Sequence, residues 1–185
     1  MCTPENFRFR LDNAQPFFKA AVAVDETEGE AAAGVAVADP AADPAAAAAA
    51  AAASVPRVLG FVVGTLSASS TLHHESMAAH SPSGRFLCVH SVVVDGGLRR
   101  RGLAGAMLRQ FVAAVAAEQS GAVDQMALIC KAHLIKFYES CGFALVGPSA
   151  VVHGKDQWFE CRLRLDGQPL EGQGQGQAEA EAPRL

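Results

Sequence analysis

The chain has 185 residues, a formal charge of −4 and half of its residues in the hydrophobic class. That length suits one domain with tails, and no run of about 18 bulky apolar residues is present to cross a membrane. The opening MCTPENFRFR has no apolar stretch behind a basic end, so no secretory leader is expected. The five cysteines, at 2, 88, 130, 141 and 161, form no CxxC pair, which argues against a zinc knuckle or a disulfide framework. The expectation is a cytoplasmic, reduced, monomeric protein with no metal.

In chain order, residues 17–24 (FFKAAVAV) predict a strand. Residues 25–54 carry six acids, no base, no aromatic residue and nine consecutive alanines. Lacking the large side chains that offset the entropy of chain ordering, they are read as a disordered insertion. Residues 58–66 (VLGFVVGTL) predict a second strand, paired with the first across the insertion. Residues 67–84 are polar, with a helical turn expected near 72–79. The β-branched run 86–94 (FLCVHSVVV) reads as a strand buried on both faces. Asp95-Gly96-Gly97 then signals a turn.

Residues 102–118 form the clearest helix. Ala104, Met107, Leu108, Phe111, Val112 and Val115 recur at spacings of three and four and mark one apolar face. Gly121 is its expected stop. A short strand at 127–130, a helix at 132–140 and strands at 143–146 and 157–165 complete the pattern. Trp158 falls within the last strand and is assigned to packing. Strands alternating with helices imply an α/β domain with a mixed, twisted sheet flanked by helices. One domain is expected over 1–165, followed by a disordered Gln/Gly/Glu-rich tail at 166–185.

The chemistry concentrates in HSVVVDGGLRRRGLAGAML, residues 90–108. A strand passes through a glycine turn into a helix whose first amides carry no intrahelical partner and about half a positive charge. Gly102, Ala104 and Gly105 keep side chains short, so phosphate oxygens can reach the backbone, while Arg99, Arg100 and Arg101 attract a polyanion. Neither GxxxxGK[ST] nor GxGxxG is present. A basic surface turn or a localisation signal is the rival reading of the three arginines.

The RxxGxA pattern resembles the phosphate-binding motif [QR]xxGx[GA] of GNAT N-acetyltransferases. Further elements narrow the resemblance to the serotonin (arylalkylamine) N-acetyltransferase family: Glu75, Ser76, His80, Pro82 and Gly84 of ESxxxHxPxG, then LCVHSVVV, then RRRGLAGAMLRQFV, then Phe137, Tyr138, Gly142 and Phe143 of FYxxxGF. These run in order from about residue 58 to 165. The resemblance implies acetyl-CoA as co-substrate, with its pyrophosphate on the backbone at Arg99–Gly105, that is Arg99, Arg100, Arg101, Gly102, Leu103, Ala104 and Gly105. Its pantetheine would lie along Val92, Val93 and Val94.

The resemblance also implies direct acetyl transfer to a small primary amine, an arylalkylamine such as serotonin or tryptamine. An alkylammonium with a pKa near ~10.4 must lose a proton before it attacks a thioester. His90 matches the second His of the family's HxH and is the candidate base. Cys88 stands at the first, so a two-histidine relay is not expected. Tyr138 matches the tyrosine that protonates the departing thiolate. The alternatives are a polyamine, diamine or protein-lysine acceptor, or a CoA-binding module without catalysis. Nucleic-acid binding is disfavoured, since no basic face with interleaved aromatics accompanies the arginines. HExxH spacing fails at His74 and His80, six residues apart.

The family opens with a strand and helices before the position of Phe17. Here the matching fold is expected without its usual first strand and first helix, with residues 6–15 forming the end of one helix. The charge then divides unevenly. The insertion holds six acids and the tail four acids and one base, which leaves 14 bases and nine acids, a core of +5 suited to a polyanionic co-substrate.

Overall fold

The computed structural model describes residues 3–23, 57–73, 79–151 and 154–166. The 25–54 insertion, the helical turn near 72–79, Glu75, Ser76 and the tail past Asp166 lie wholly or mainly outside these residues. Helix α1 (Pro4–Asn13) opens the described chain. Thr3 caps it, its hydroxyl accepting from the Asn6 N–H at 3.3 Å, with Pro4 in the first turn, where a missing N–H costs nothing.

A single 3₁₀ turn (Gln15–Phe17) leads into strand β1 (Phe18–Val22). Phe17, predicted as strand, is drawn into that turn because its side chain is buried, at 3% exposure, and its N–H donates to the Ala14 carbonyl. Strand β2 (Val58–Ser67) pairs antiparallel with β1, as the sequence predicts. Phe61 of β2 stacks on Phe18 and receives Phe7 of α1 edge-on, which seats the helix on the sheet.

Strand β3 (Phe86–Val94) matches its predicted bounds, although only its first four residues and Val94 are buried. Helix α2 (Leu103–Glu118) follows and buries Met107, Leu108, Phe111 and Val115, four of the six residues on the predicted face. Gly60 of β2 lets it approach: a Cβ there would meet the Val93 carbonyl oxygen at 2.5 Å and Met107 at 2.9 Å. Then come β4 (Gln125–Cys130), a 3₁₀ turn (Ala132–Leu134), helix α3 (Ile135–Glu139), β5 (Ala144–Pro148) and β6 (Phe159–Arg164). The predicted helix over 132–140 is thus split, and Trp158 lies before the last strand rather than in it.

The six strands form one mixed sheet in the order β1-β2-β3-β4-β6-β5, in which only β3 and β4 run parallel. Strand alternation sends Leu87, Val89, Met126 and Leu128 into the large core shared with α2 and α3. Phe86, Cys88 and Ala127 point the other way, into a smaller cluster with Leu72 and Val151. Among the described residues no helix is long and apolar enough to cross a membrane, and no group of three or more His, Cys, Asp or Glu is placed to hold a metal ion.

Candidate active site

Strand β3 departs from regular pairing on both edges, and both departures fall at the candidate site. Against β2, Val89 lies opposite Gly64 and Ser91 opposite Val63, so His90 is the extra residue of a β-bulge. A bulge bends its strand and re-aims the side chain it carries. Against β4, β3 pairs at three positions only, from Phe86↔Gln125 to Cys88↔Ala127. Beyond Cys88 the parallel ladder stops, so Val89, Val92, Val93 and Val94 have no partner on β4, and the two strands open at their carboxyl ends. Ligands of open α/β sheets gather at such ends. Val92, Val93 and Val94 lie along this free edge, where a ligand amide can bond as a strand would.

The turn that leaves β3 gathers backbone N–H groups and three arginines. The Asp95 side chain accepts the Gly97 N–H at 2.9 Å and lies 3.7 Å from the Arg57 guanidinium, which fixes the start of the turn. Arg99 Nε reaches back to the Val94 carbonyl at 3.4 Å. Arg100 takes a left-handed φ of 62° and Gly102 one of 80°. Left-handed residues between extended or helical ones turn successive N–H groups towards a common point. Gly102 is the N-cap of α2, and it supplies no side-chain cap to this end of the helix. The amides of Leu103, Ala104 and Gly105 therefore face outward at the positive end of the helix dipole. The side chains of Arg99, Arg100 and Arg101 are exposed around them. Gly105 is itself buried, and the Arg109 guanidinium lies 3.1 Å from where its Cβ would stand. Its small size therefore serves packing, while its amide belongs to the cradle.

His90 sits on the Cys88 side of the sheet. Its Nε2 is 2.7 Å from the Thr65 hydroxyl, and Thr65 is 1% exposed. The other ring nitrogen, Nδ1, is buried with no hydrogen-bond partner among the described residues. Burial, and then the positive charge of Arg10, push the His90 pKa down to about 3. The ring is therefore neutral throughout the physiological range. His80 accepts the Leu66 N–H on Nδ1 at 3.2 Å, and burial lowers its pKa as well.

Tyr138 sits on α3, packed edge-on against Phe137 and Phe143 at centroid distances of 5.0 and 6.2 Å. Burial, and then the nearby thiols of Cys130, Cys161 and Cys141, push its phenol up to about 12. It is a protonated donor at neutral pH. His90 and Tyr138 belong to opposite faces of the sheet, and no hydrogen bond joins them among the described residues. They lie on either side of the parted β3 and β4, one on the bulge and the other just past the end of β4.

Sequence reasoning missed Arg10 and Thr65. Arg10 is the one buried residue of α1, at 7% exposure, and its charge is felt at His90. Its signal was weak, because FRFR has no helical apolar period. Thr65 had a readable signal, being the one hydroxyl in the apolar run VLGFVVGTL. Cys88 is fully buried beneath His90.

A sequence model of the Acetyltransferase (GNAT) family matches residues 13–143. The chain belongs to the GNAT acetyltransferase family. The GNAT match takes in the bulged strand, the arginine turn, α2, β4 and α3, so every site residue named above except Arg10 falls inside it. Serotonin N-acetyltransferase of Mesocricetus auratus is 33% identical over 110 residues, 58% of this chain and 52% of the relative. That of Macaca mulatta is 30% identical over 112 residues, 60% of this chain and 54% of the relative. The chain thus spans about half the length of the curated relatives it matches. A solved structure assigned to the GNAT family from Desulfovibrio desulfuricans superposes with a TM-score of 0.51 at 14% identity, covering 87% of this chain and 77% of that one. At that identity the likeness speaks to the fold, a mixed sheet with flanking helices.

Proposed function

We propose that this GNAT protein transfers the acetyl group of acetyl-CoA to a small primary amine of the arylalkylamine class, such as tryptamine or serotonin. One observation carries the reading: the uncapped, arginine-flanked start of α2 adjoins the cleft where β3 and β4 separate. A phosphate bound on the amides of 103–105 places the pantetheine arm along Val92–Val94, with the thioester between His90 and Tyr138. The amide groups of the free β3 edge can bond the thioester oxygen as charge develops there. Holding amine and thioester together makes direct attack efficient, so no acyl-enzyme is required. The named relatives supply the amine class.

The proton chemistry follows from the two shifted groups. An alkylammonium near ~10.4 lies about seven units above His90, so full transfer to that ring costs on the order of 10 kcal/mol. His90 thus works as a neutral acceptor that orients the amine or a water, and the proton leaves to solvent. Tyr138, held protonated, donates its O–H to the sulfur as the C–S bond breaks. Between pH 6 and 9, kcat/KM for tryptamine should rise steadily with the fraction of free amine. An inflection near 6.5 that disappears in His90→Gln would overturn this assignment.

Calorimetry with acetyl-CoA, followed by thiol release across a panel of amines, tests the activity. Absence of acetyl-CoA binding ends the proposal, and a preference for spermidine or a lysine peptide moves the acceptor to the polyamine or protein class. A second reading, a CoA-binding module without turnover, is favoured by the low basicity of His90 and by Cys88 at the other histidine position. CoA binding with no turnover on any amine would select it.

A further inference from the structure

At the carboxyl end of β4 an ammonium is already held. Lys131 is the first residue past the strand, and its Nζ lies 2.5 Å from Asp156 Oδ2 and 4.4 Å from the centre of the Trp158 ring. Both partners come from the segment leading into β6, so the ammonium bridges the carboxyl end of β4 to that segment, on the side of β4 away from β3. The Lys131 side chain is one-quarter exposed and the Asp156 side chain three-quarters exposed, so solutes can reach the carboxylate. Asp156 keeps its charge, because the hydrogen bond from Lys131 and the charge of that ammonium lower its pKa.

A carboxylate beside the face of an indole is a recognition pair for alkylammonium ions. The end of a lysine side chain is chemically a primary alkylammonium, so the chain demonstrates the fit with its own group. The acceptor proposed above is also a primary alkylammonium before it loses its proton. Its acetylated product is a neutral amide that neither the carboxylate nor the ring face holds as well.

We propose that Asp156 and Trp158 form a receptor for a primary alkylammonium, filled by Lys131 in the free protein, where the acceptor amine first docks by displacing that side chain. This rests on the acetyl-transfer reading for its acceptor, but not for its test. Lys131 is then an internal competitor that raises the amine concentration needed for capture. The pair also discriminates substrate from product by charge.

Trp158 is the only tryptophan in the chain, so its fluorescence reports this site directly. The probe is phenethylamine, which has no indole, titrated without acetyl-CoA against the full chain. Lys131→Met, which keeps the apolar stem and removes the charge, should bind phenethylamine about tenfold more tightly than the unmodified protein. Lys131→Arg should not, and adding Asp156→Asn to Lys131→Met should reverse the gain. N-acetylphenethylamine should leave the emission unchanged. Equal affinity in Lys131→Met and the unmodified protein, or an equal response to the neutral amide, overturns the receptor. Acetyl-CoA calorimetry on the same samples separates the two readings: binding of acetyl-CoA with no amine response at Trp158 sinks the receptor alone, whereas loss of acetyl-CoA binding sinks the transferase.

Discussion

Strand β4 is closed along one edge and open along the other. Against β6 it pairs at six positions, from Gln125↔Arg164 to Cys130↔Phe159. Against β3 it pairs at three and then stops. Composition does not account for the difference, since β3 is as apolar and β-branched as any strand in the chain. The bulge at His90 bends β3 while β4 keeps a regular register with β6, and past Cys88 β3 has no partner on β4. All six residues of β4 are held by β6, and only the first three are also held by β3.

The largest effect should come from the groups that face the opening. If the acetyl-transfer reading holds, Tyr138→Phe should lower turnover by roughly 10²–10⁴-fold, and His90→Gln, which alters an orienting acceptor rather than a base, by about tenfold. Acetyl-CoA affinity, read by calorimetry, should hardly change. Turnover within a factor of three of the original in both variants would remove these residues from the chemistry.

On the closed side the cost should be structural. Leu128 is 2% exposed in the large core, so Leu128→Ala should lose about 2–5 kcal/mol in chemical denaturation. Val93→Ala, at a position 39% exposed on the open lip, should stay within about 0.5 kcal/mol. Equal losses would mean the two edges are not energetically distinct.

Acid should weaken the protein through the bulge. The folded pKa of His90 is depressed from 6.5 to about 3, so its contribution is fully present above 6.5 and is lost as pH falls towards 3. The drop should amount to a few kcal/mol, and His90→Gln should flatten most of it above pH 4.5. The remaining slope belongs to His80, shifted the same way, and, towards pH 4.5, to Glu5 and Asp156, whose pKa values are lowered too. An unchanged slope in the variant would show that His90 is not buried as described.

The smallest effects lie in the arginine turn. Replacing Arg99, Arg100 and Arg101 together by Gln should weaken CoA binding roughly tenfold at low salt and shrink its salt dependence, because exposed charges act through a screened field. A salt response equal to that of the unmodified protein would leave the backbone amides as the whole cradle.

Much of this was readable in the sequence where cause is local. The bounds of β3, the face of α2 and the arginine turn follow from patterns within a dozen residues. The bulge does not, because it exists only in the register between β2 and β3. Nor does the parting of β3 from β4, which are separated by thirty residues of chain. The split of the predicted 132–140 helix was also hidden, since periodicity does not separate a 3₁₀ turn from the first turn of an α-helix. Trp158 was placed in β6 on hydrophobic alternation, but the Lys131 ammonium over its ring comes from a distant part of the chain. His90 and Tyr138 were singled out through the motifs around them, whereas Arg10 carried no motif.

The left-handed Arg100 sets stability against capture at a single position. A non-glycine residue held there costs of order 1–3 kcal/mol. Glycine would relieve that strain and steady the fold, yet would delete one of the three positive charges of the turn. Selection for heat resistance alone would drift towards Arg100→Gly, and selection for co-substrate affinity would drift back. If the co-substrate binds at this turn, the side chain at this one position weighs the stability of the free fold against attraction for the anion.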